Sequence, residues 1–388
     1  MPLQNSWCFV FSLIWLTACS SVPAQMTPEP VAPASLLLQG ANAPVPTLED
    51  IFRLTAKQQA EFLAYFNDPA HRKVDAHRRV YQFLAQHLSG FDYQGKNYTA
   101  SEAYALKSGN CISLAVLTKA LADIAGVEVE FQSIVSAPVY SIESDFMLSS
   151  DHVRTFLFNP DFVPEDGKVY FVKPAIVVDY LPAAGDITGP RISQQTFIAM
   201  FYRNLAADAL LAGQHEQVLA LLKTALHYAP DYSAVINLTA VVHRRMQQPQ
   251  LAEQFYQYGL DVSASKATLL SNYALLKHSQ GDADAAQSML RSLSLLDEHD
   301  PYLWYVLGKT AQQKSQYGDA VTYLRKAAKQ APYMHQLHLE LALAYYRNNQ
   351  PEKAQQALSA AAELVSDSQT QQRYYAKLVA LKLHQSVD

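Results

Sequence analysis

The sequence predicts an α+β domain followed by an all-α superhelix of paired helices. Three observations predict it. Between residues 48 and 190, apolar residues recur first at spacings of three and four and then at alternate positions, the periods of helix and strand. From residue 199 onward the chain resembles itself with a period of 34. Glycine is scarce at 13 of 388 residues and tyrosine abundant at 23, which suits a mostly helical protein with aromatic packing. Apolar residues make up 49%, enough to bury the cores of two or three domains. A net charge of −5 argues against a nucleic-acid partner, which needs a basic face.

Residues 7–18 form a short apolar run, too short for a permanent membrane span but suited to the core of a signal peptide. The run ends in Leu16-Thr17-Ala18-Cys19, which resembles the lipobox of bacterial lipoproteins. That resemblance implies cleavage before Cys19 and acylation of its thiol. The alternative is a plain signal peptide with an incidental cysteine. Residues 1–6 lack Lys and Arg, so only the terminal amine supplies positive charge. Ser20 follows the cysteine rather than Asp, which by the same resemblance implies the outer membrane, facing the periplasm. Residues 20–47 hold Pro23, Pro28, Pro30, Pro33, Pro44 and Pro46 among small residues and read as an extended tether. No second apolar run is long enough to span a bilayer.

The repeat is clearest in the unit that starts at Pro301. Trp304, Leu307, Gly308, Ala311, Ala320, Leu324, Ala327 and Pro332 stand at its positions 4, 7, 8, 11, 20, 24, 27 and 32. Steps of 34 give further starts at 199, 233, 267 and 335, with no insertion between units. The pattern resembles the tetratricopeptide repeat, departing from it at Ala311 and Leu324, where that family more often has aromatic residues. The resemblance implies two antiparallel helices per unit over 199–368, with small residues where helices cross closely. It also implies a concave face that binds a peptide or protein. A segment at 369–388, with Tyr374, Leu378, Leu381 and Leu383, reads as a helix closing the stack.

Residues 48–190 carry the candidate chemistry. Helices are expected at 55–66 and 70–88, separated by Pro69 and ended by Ser89-Gly90. Thr99 and Glu102 have capping-box spacing. Ser108-Gly109-Asn110 supplies a turn and a cap, so Cys111 opens an apolar helix marked by Leu114, Leu117, Leu121 and Ile124 and stopped at Gly126. The positive end of a helix favours a thiolate, the nucleophilic form of cysteine. Strands are expected at 127–131, 152–158, 169–172 and 175–178.

Ser108-Gly109-Asn110-Cys111 with its helix, then Asp151-His152-Val153, then Val178-Asp179-Tyr180-Leu181-Pro182, resemble the cysteine, histidine and aspartate motifs of transglutaminase-like proteins. The likeness covers roughly residues 70–185. It implies that Cys111 attacks an amide carbonyl, that His152 takes and returns the proton, and that Asp179 orients the imidazole. It implies as well that the Cys111 backbone N–H helps bind the oxyanion. From the residues alone, Asp151, Asp161 and Asp186 are nearby alternatives to Asp179, and Cys111 could be a small buried hydrophobe. Cys8 leaves with the signal, so Cys111 is the one thiol left after processing. No ligand cluster or Gly-rich phosphate loop appears, so no metal and no nucleotide cofactor is expected.

Two functions follow as expectations. One is a lipid-anchored cysteine acyl transferase or amide hydrolase whose repeats recruit a protein. The other is an inert transglutaminase-like scaffold whose repeats mediate assembly at the cell envelope.

Overall fold

The computed structural model describes residues 41–385, apart from 94, 136–139, 144–145, 150–151, 165, 169–172, 181–186, 295–300 and 366. The expected signal, Cys19 and most of the tether lie outside the described residues, as does the expected strand at 169–172.

Helices open the described chain. Helix α1 (Leu48–Phe52) and α2 (Ala56–Phe66) each start at a capping box, Thr47 with Asp50 and Thr55 with Gln58. The next helix, α3 (Ala76–His87), begins later than residue 70. Asp68 accepts from the Ala70 N–H at 2.8 Å and starts a separate 3-10 turn, Pro69–His71, so the chain must restart its helix at Asp75. Phe62 of α2 meets Phe83 of α3 edge-on at 5.0 Å.

A two-residue strand, β1 (Asp92–Tyr93), leads to α4 (Ala100–Leu106), which opens on the expected Thr99–Glu102 capping box. Then β2 (Ser108–Gly109) pairs in parallel with β1 and sets Tyr93 beside Gly109. Helix α5 (Cys111–Ile124) follows at once and is buried along most of its length. Gly126 ends it at φ +67°, a conformation in which a Cβ is strained. The Val127 N–H turns back to the Ala122 carbonyl at 2.8 Å. That closing bond occupies the donor that a strand at 127 would need, so β3 (Val129–Val135) starts two residues later than its alternation suggests.

After a hairpin of β4 (Tyr140–Glu143) and β5 (Phe146–Ser149) come β6 (His152–Phe158), β7 (Ala175–Asp179) and β8 (Ile187–Ile192). The main sheet runs β7-β6-β3-β8, every pair antiparallel. Gly189 and Pro190 hide β8 from a periodicity reading. Proline is tolerated because β8 is an edge strand, and glycine because a Cβ there would lie 2.8 Å from the Ser133 carbonyl oxygen.

Helical pairs make up the rest: α6 (Gln194–Leu211) with α7 (His215–Tyr228), α8 (Ser233–Arg245) with α9 (Pro249–Val262), and α10 (Ala267–Ser279) with α11 (Ala283–Ser294). After them come α12 (Pro301–Gln313) with α13 (Tyr317–Gln330), α14 (His335–Arg347) with α15 (Pro351–Leu364), and finally α16 (Ser368–Gln385). The first helices of the last four pairs begin at 233, 267, 301 and 335, and the second helices of all five at 215, 249, 283, 317 and 351, each step being 34. Only α6 breaks step, starting early because Ser193 caps it against the Thr196 N–H. The small residues sit where helices touch: Ala320 is fully buried, and a Cβ on Gly308 would meet Leu324 Cγ at 2.5 Å.

The turn inside each pair always places one residue in the left-handed region: Gly213, Gln247, Gly281, Ser315 and Asn349, 34 apart. Gln247 and Ser315 pay a steric penalty that glycine avoids. Ser315→Gly is therefore expected to stabilise the chain by about 1 kcal/mol, read as a rise in urea midpoint with an unchanged slope. An unchanged or lower midpoint would refute it.

One continuous core runs from Ile51 through α5 and the sheet to Leu276 of α10. Its joint is α6, where Phe197 stacks on Phe131 of β3 at 3.8 Å. Two smaller cores serve the later pairs, one around Leu275, Leu293, Leu303 and Leu307, the other from Ala311 to Leu378. Tyr374 and Leu378 of α16 close the latter. Among the described residues no helix is long and apolar enough to cross a membrane.

Candidate functional site

Cys111 is the first residue of α5 and is 6% exposed. Asn110 caps the helix, its Oδ1 accepting from the Ser113 N–H at 2.9 Å. The sulfur thus sits where the unpaired N–H groups of a long buried helix point. Glycine at 109 is dictated by space as well as by its φ of +141°: a Cβ would lie 2.8 Å from Ser113 Cβ.

His152 and Asp179 are brought together directly. His152 Nε2 lies 3.1 Å from Asp179 Oδ1, and the histidine is 7% exposed. The ladder explains this. Arg154 of β6 stands opposite Asp179 of β7, and His152, two residues before Arg154, shares their face one diagonal step away. Arg154 reaches the other way, donating to Gln132 Oε1 at 3.0 Å and Thr188 Oγ1 at 2.9 Å. The bond through Nε2 leaves Nδ1 as the nitrogen able to exchange a proton with a thiol.

The flank of α5 packs on the side of the sheet away from this pair, as the Tyr180 hydroxyl shared by Thr118 of α5 and Thr155 of β6 shows. That flank faces the fully buried Val153, Thr155 and Leu157, on the opposite face of β6 from His152. Tyr93 is the side chain that senses both Cys111 and Asp179. Its ring is 43% exposed, but its hydroxyl is tucked in and donates to the Tyr180 carbonyl. Burial raises the pKa of that hydroxyl, and the charges of Cys111 and Asp179 raise it further, so the phenol feels both groups.

Tyr180 anchors the end of β7. Its hydroxyl is bonded to Thr118 Oγ1 at 2.8 Å and Thr155 Oγ1 at 2.7 Å, joining α5, β6 and the residue after Asp179. Burial drives its pKa far above the ordinary phenol value, so it stays neutral. Neither tyrosine stands out in the sequence as part of a site. Tyr93 lies in a polar stretch, and its parallel pairing with Gly109 is the feature that brings it near Cys111. Tyr180 lies within the aspartate motif, where its adjacency to Asp179 was the available signal. Among the described residues no group of three or more His, Cys, Asp or Glu could hold a metal.

The helical pairs present a second candidate surface. Side chains of successive first helices touch along one face: Asn272 Nδ2 donates to Asn237 Oδ1 at 3.1 Å, and Lys309 Nζ pairs with Glu340 Oε1 at 2.6 Å. Gln312 donates to the Glu340 carbonyl at 3.0 Å. On α14 the same row exposes Leu343 by 45% and Tyr346 by 42%.

Residues 311–381 match the tetratricopeptide repeat family model. The BBSome complex member BBS4 homolog of Drosophila melanogaster is 25% identical over 157 residues, which are 40% of this chain and 32% of that protein. The match spans about a third of that relative's length. Among solved structures, Pseudomonas aeruginosa PilF shares 21% identity, with 50% of this chain and 88% of that one covered at a TM-score of 0.39. PilW, a widely conserved type IV pilus biogenesis factor, shares 16% identity, covering 49% and 94% at a TM-score of 0.35. Over residues 311–381 the helical pairs are thus similar to tetratricopeptide repeats, a unit that generally binds protein partners.

Proposed function

We propose that this protein is an assembly factor of the cell envelope, whose repeats hold an extended segment of a partner protein. The observation that carries the reading is the repeat array itself: the first helices of the last four pairs in 34-residue register, with Leu343 and Tyr346 exposed on the row that α14 contributes. Tethering through an acylated Cys19 and a periplasm-facing position at the outer membrane belong to this proposal, supported by Leu16-Thr17-Ala18-Cys19 and the Pro-rich stretch behind it. The test is cross-linking capture from the envelope fraction with the full chain and with a Leu343→Glu/Tyr346→Glu double variant. The variant is expected to lose the captured partner while staying folded, because both side chains lie at the surface outside the buried core. Equal capture by both proteins would place the partner elsewhere and defeat the reading.

A second reading has its own observation, the bonded His152–Asp179 pair and a helix-initial cysteine, with Cys111 and Asp179 both acting on the Tyr93 phenol. Here Cys111 is the nucleophile of a transglutaminase-like acyl transfer on a repeat-bound protein. The thiol proton passes to His152, the thiolate forms a thioester with an amide carbonyl, and the leaving amine takes the proton from His152. Water or a second amine then cleaves the thioester. Asp179 holds the imidazole and offsets its charge, and Tyr93 and Tyr180 fix the rim of the site.

A further inference from the structure

We propose that Asn97, held by Asn204 and Asp208 of α6, is a positioning residue for Cys111, so that the first repeat is a working part of the cysteine site. The proposal rests on the cysteine reading above.

The segment 95–98 wraps the start of α5. The Lys96 carbonyl accepts from the Asn110 N–H at 3.2 Å, and the Tyr98 N–H donates to Ser113 Oγ at 2.8 Å. Between them, Asn97 faces two ways. Its Oδ1 accepts from Asn110 Nδ2 at 2.9 Å and from Asn204 Nδ2 at 3.2 Å. Its Nδ2 donates to Asp208 Oδ2 at 3.2 Å. Asn204 and Asp208 are four residues apart and therefore share one face of α6.

The hydrogen-bond roles are not interchangeable. A carboxylate only accepts, so Asp208 requires the NH2 end of Asn97. Both lone pairs of Asn97 Oδ1 then go to the two neighbouring amides. A flipped Asn97 would set its NH2 against two others. With its own NH2 directed at Asn97, Asn110 turns its oxygen to the Ser113 N–H and so caps α5. A charge on the first repeat thereby orients the cap of the helix that begins with Cys111. The cap keeps the first-turn N–H groups aligned at the sulfur, and those groups favour the thiolate.

The test is the pH profile of Cys111 alkylation by iodoacetamide, measured on the full chain. The proteins are the parent, Asn97→Ala, Asp208→Ala and a Thr322→Ala control on α13. Asn97→Ala and Asp208→Ala are each expected to slow alkylation near neutrality by about 3- to 10-fold, the size of a lost helix cap. Both profiles should shift to higher pH, and the double variant should add little, since the two residues act through one chain of bonds. The control should overlay the parent. Parent-like profiles in Asn97→Ala and Asp208→Ala, with the parent midpoint still below that of free cysteine, would overturn this proposal and leave the cysteine reading standing. A parent thiol that titrates as free cysteine would overturn both. Should Asn97→Ala fail to fold, the exposed Asp208→Ala decides alone.

Discussion

Replacing His152 by alanine is expected to slow Cys111 alkylation by roughly 10- to 100-fold at pH 6, because the imidazolium is the main charge stabilising the thiolate. The parent thiol should titrate below the roughly 8.5 of free cysteine, and the variant above the parent. Amide hydrolysis or acyl transfer, measured as ammonia release or amine incorporation, should fall by about 10³-fold or more. Asp179→Asn should move the thiol less but still remove most activity. Through the 3.1 Å bond it sets the ring, and an amide in its place no longer selects the tautomer or balances the charge. These variants should stay folded, since both positions lie at the end of the sheet rather than in the core beneath α5. If the parent thiol titrates like free cysteine and ignores His152→Ala, the catalytic reading fails and the assembly reading remains.

Ala320→Glu should be the most damaging change in the repeats. Ala320 is fully buried on α13, within the core that runs from Ala311 to Leu378. Glutamate there overpacks the helix crossing and buries a charge without a partner, at a cost of about 3–5 kcal/mol. Scanning calorimetry should show the transition of the last two repeats dropping by roughly 10 °C or separating from the rest. The continuous core around Ile51 to Leu276 should melt nearly as before. A thermogram matching the parent would mean that position 20 of the repeat is not a close crossing.

Much of this architecture was legible beforehand, and for identifiable reasons. Small residues at fixed intervals marked the repeats, since two helices can approach only where side chains are short. Asn110, Cys111 and Gly126 bracketed α5 because caps and left-handed stops are local chemistry. His152 opened and Asp179 closed short apolar stretches that read as strands, and the two side chains meet. Long-range geometry was not legible. The edge strand β8 carries Gly189 and Pro190, which read locally as a turn. The contribution of Tyr93 depends on a parallel pairing with Gly109, distant in sequence. Gln247 and Ser315 give no hint of their left-handed backbone, because the repeat imposes it from outside. Nor did the periodicity show that α6 belongs to two bodies at once, through Phe197 on one side and its packing with α7 on the other.

That dual membership of α6 makes the two directions of the array unequal. Behind α10 each 34-residue unit touches mainly its neighbours, so units could be gained or lost there by duplication and deletion with only local repacking. In front of α6 no such freedom exists. Phe197 fills the sheet, and Asn204 and Asp208 grip the segment before α5, so a unit inserted there would tear the first repeat from the cysteine domain. Descendants of this chain should therefore differ in repeat number at the far end while keeping α6 fixed against the sheet.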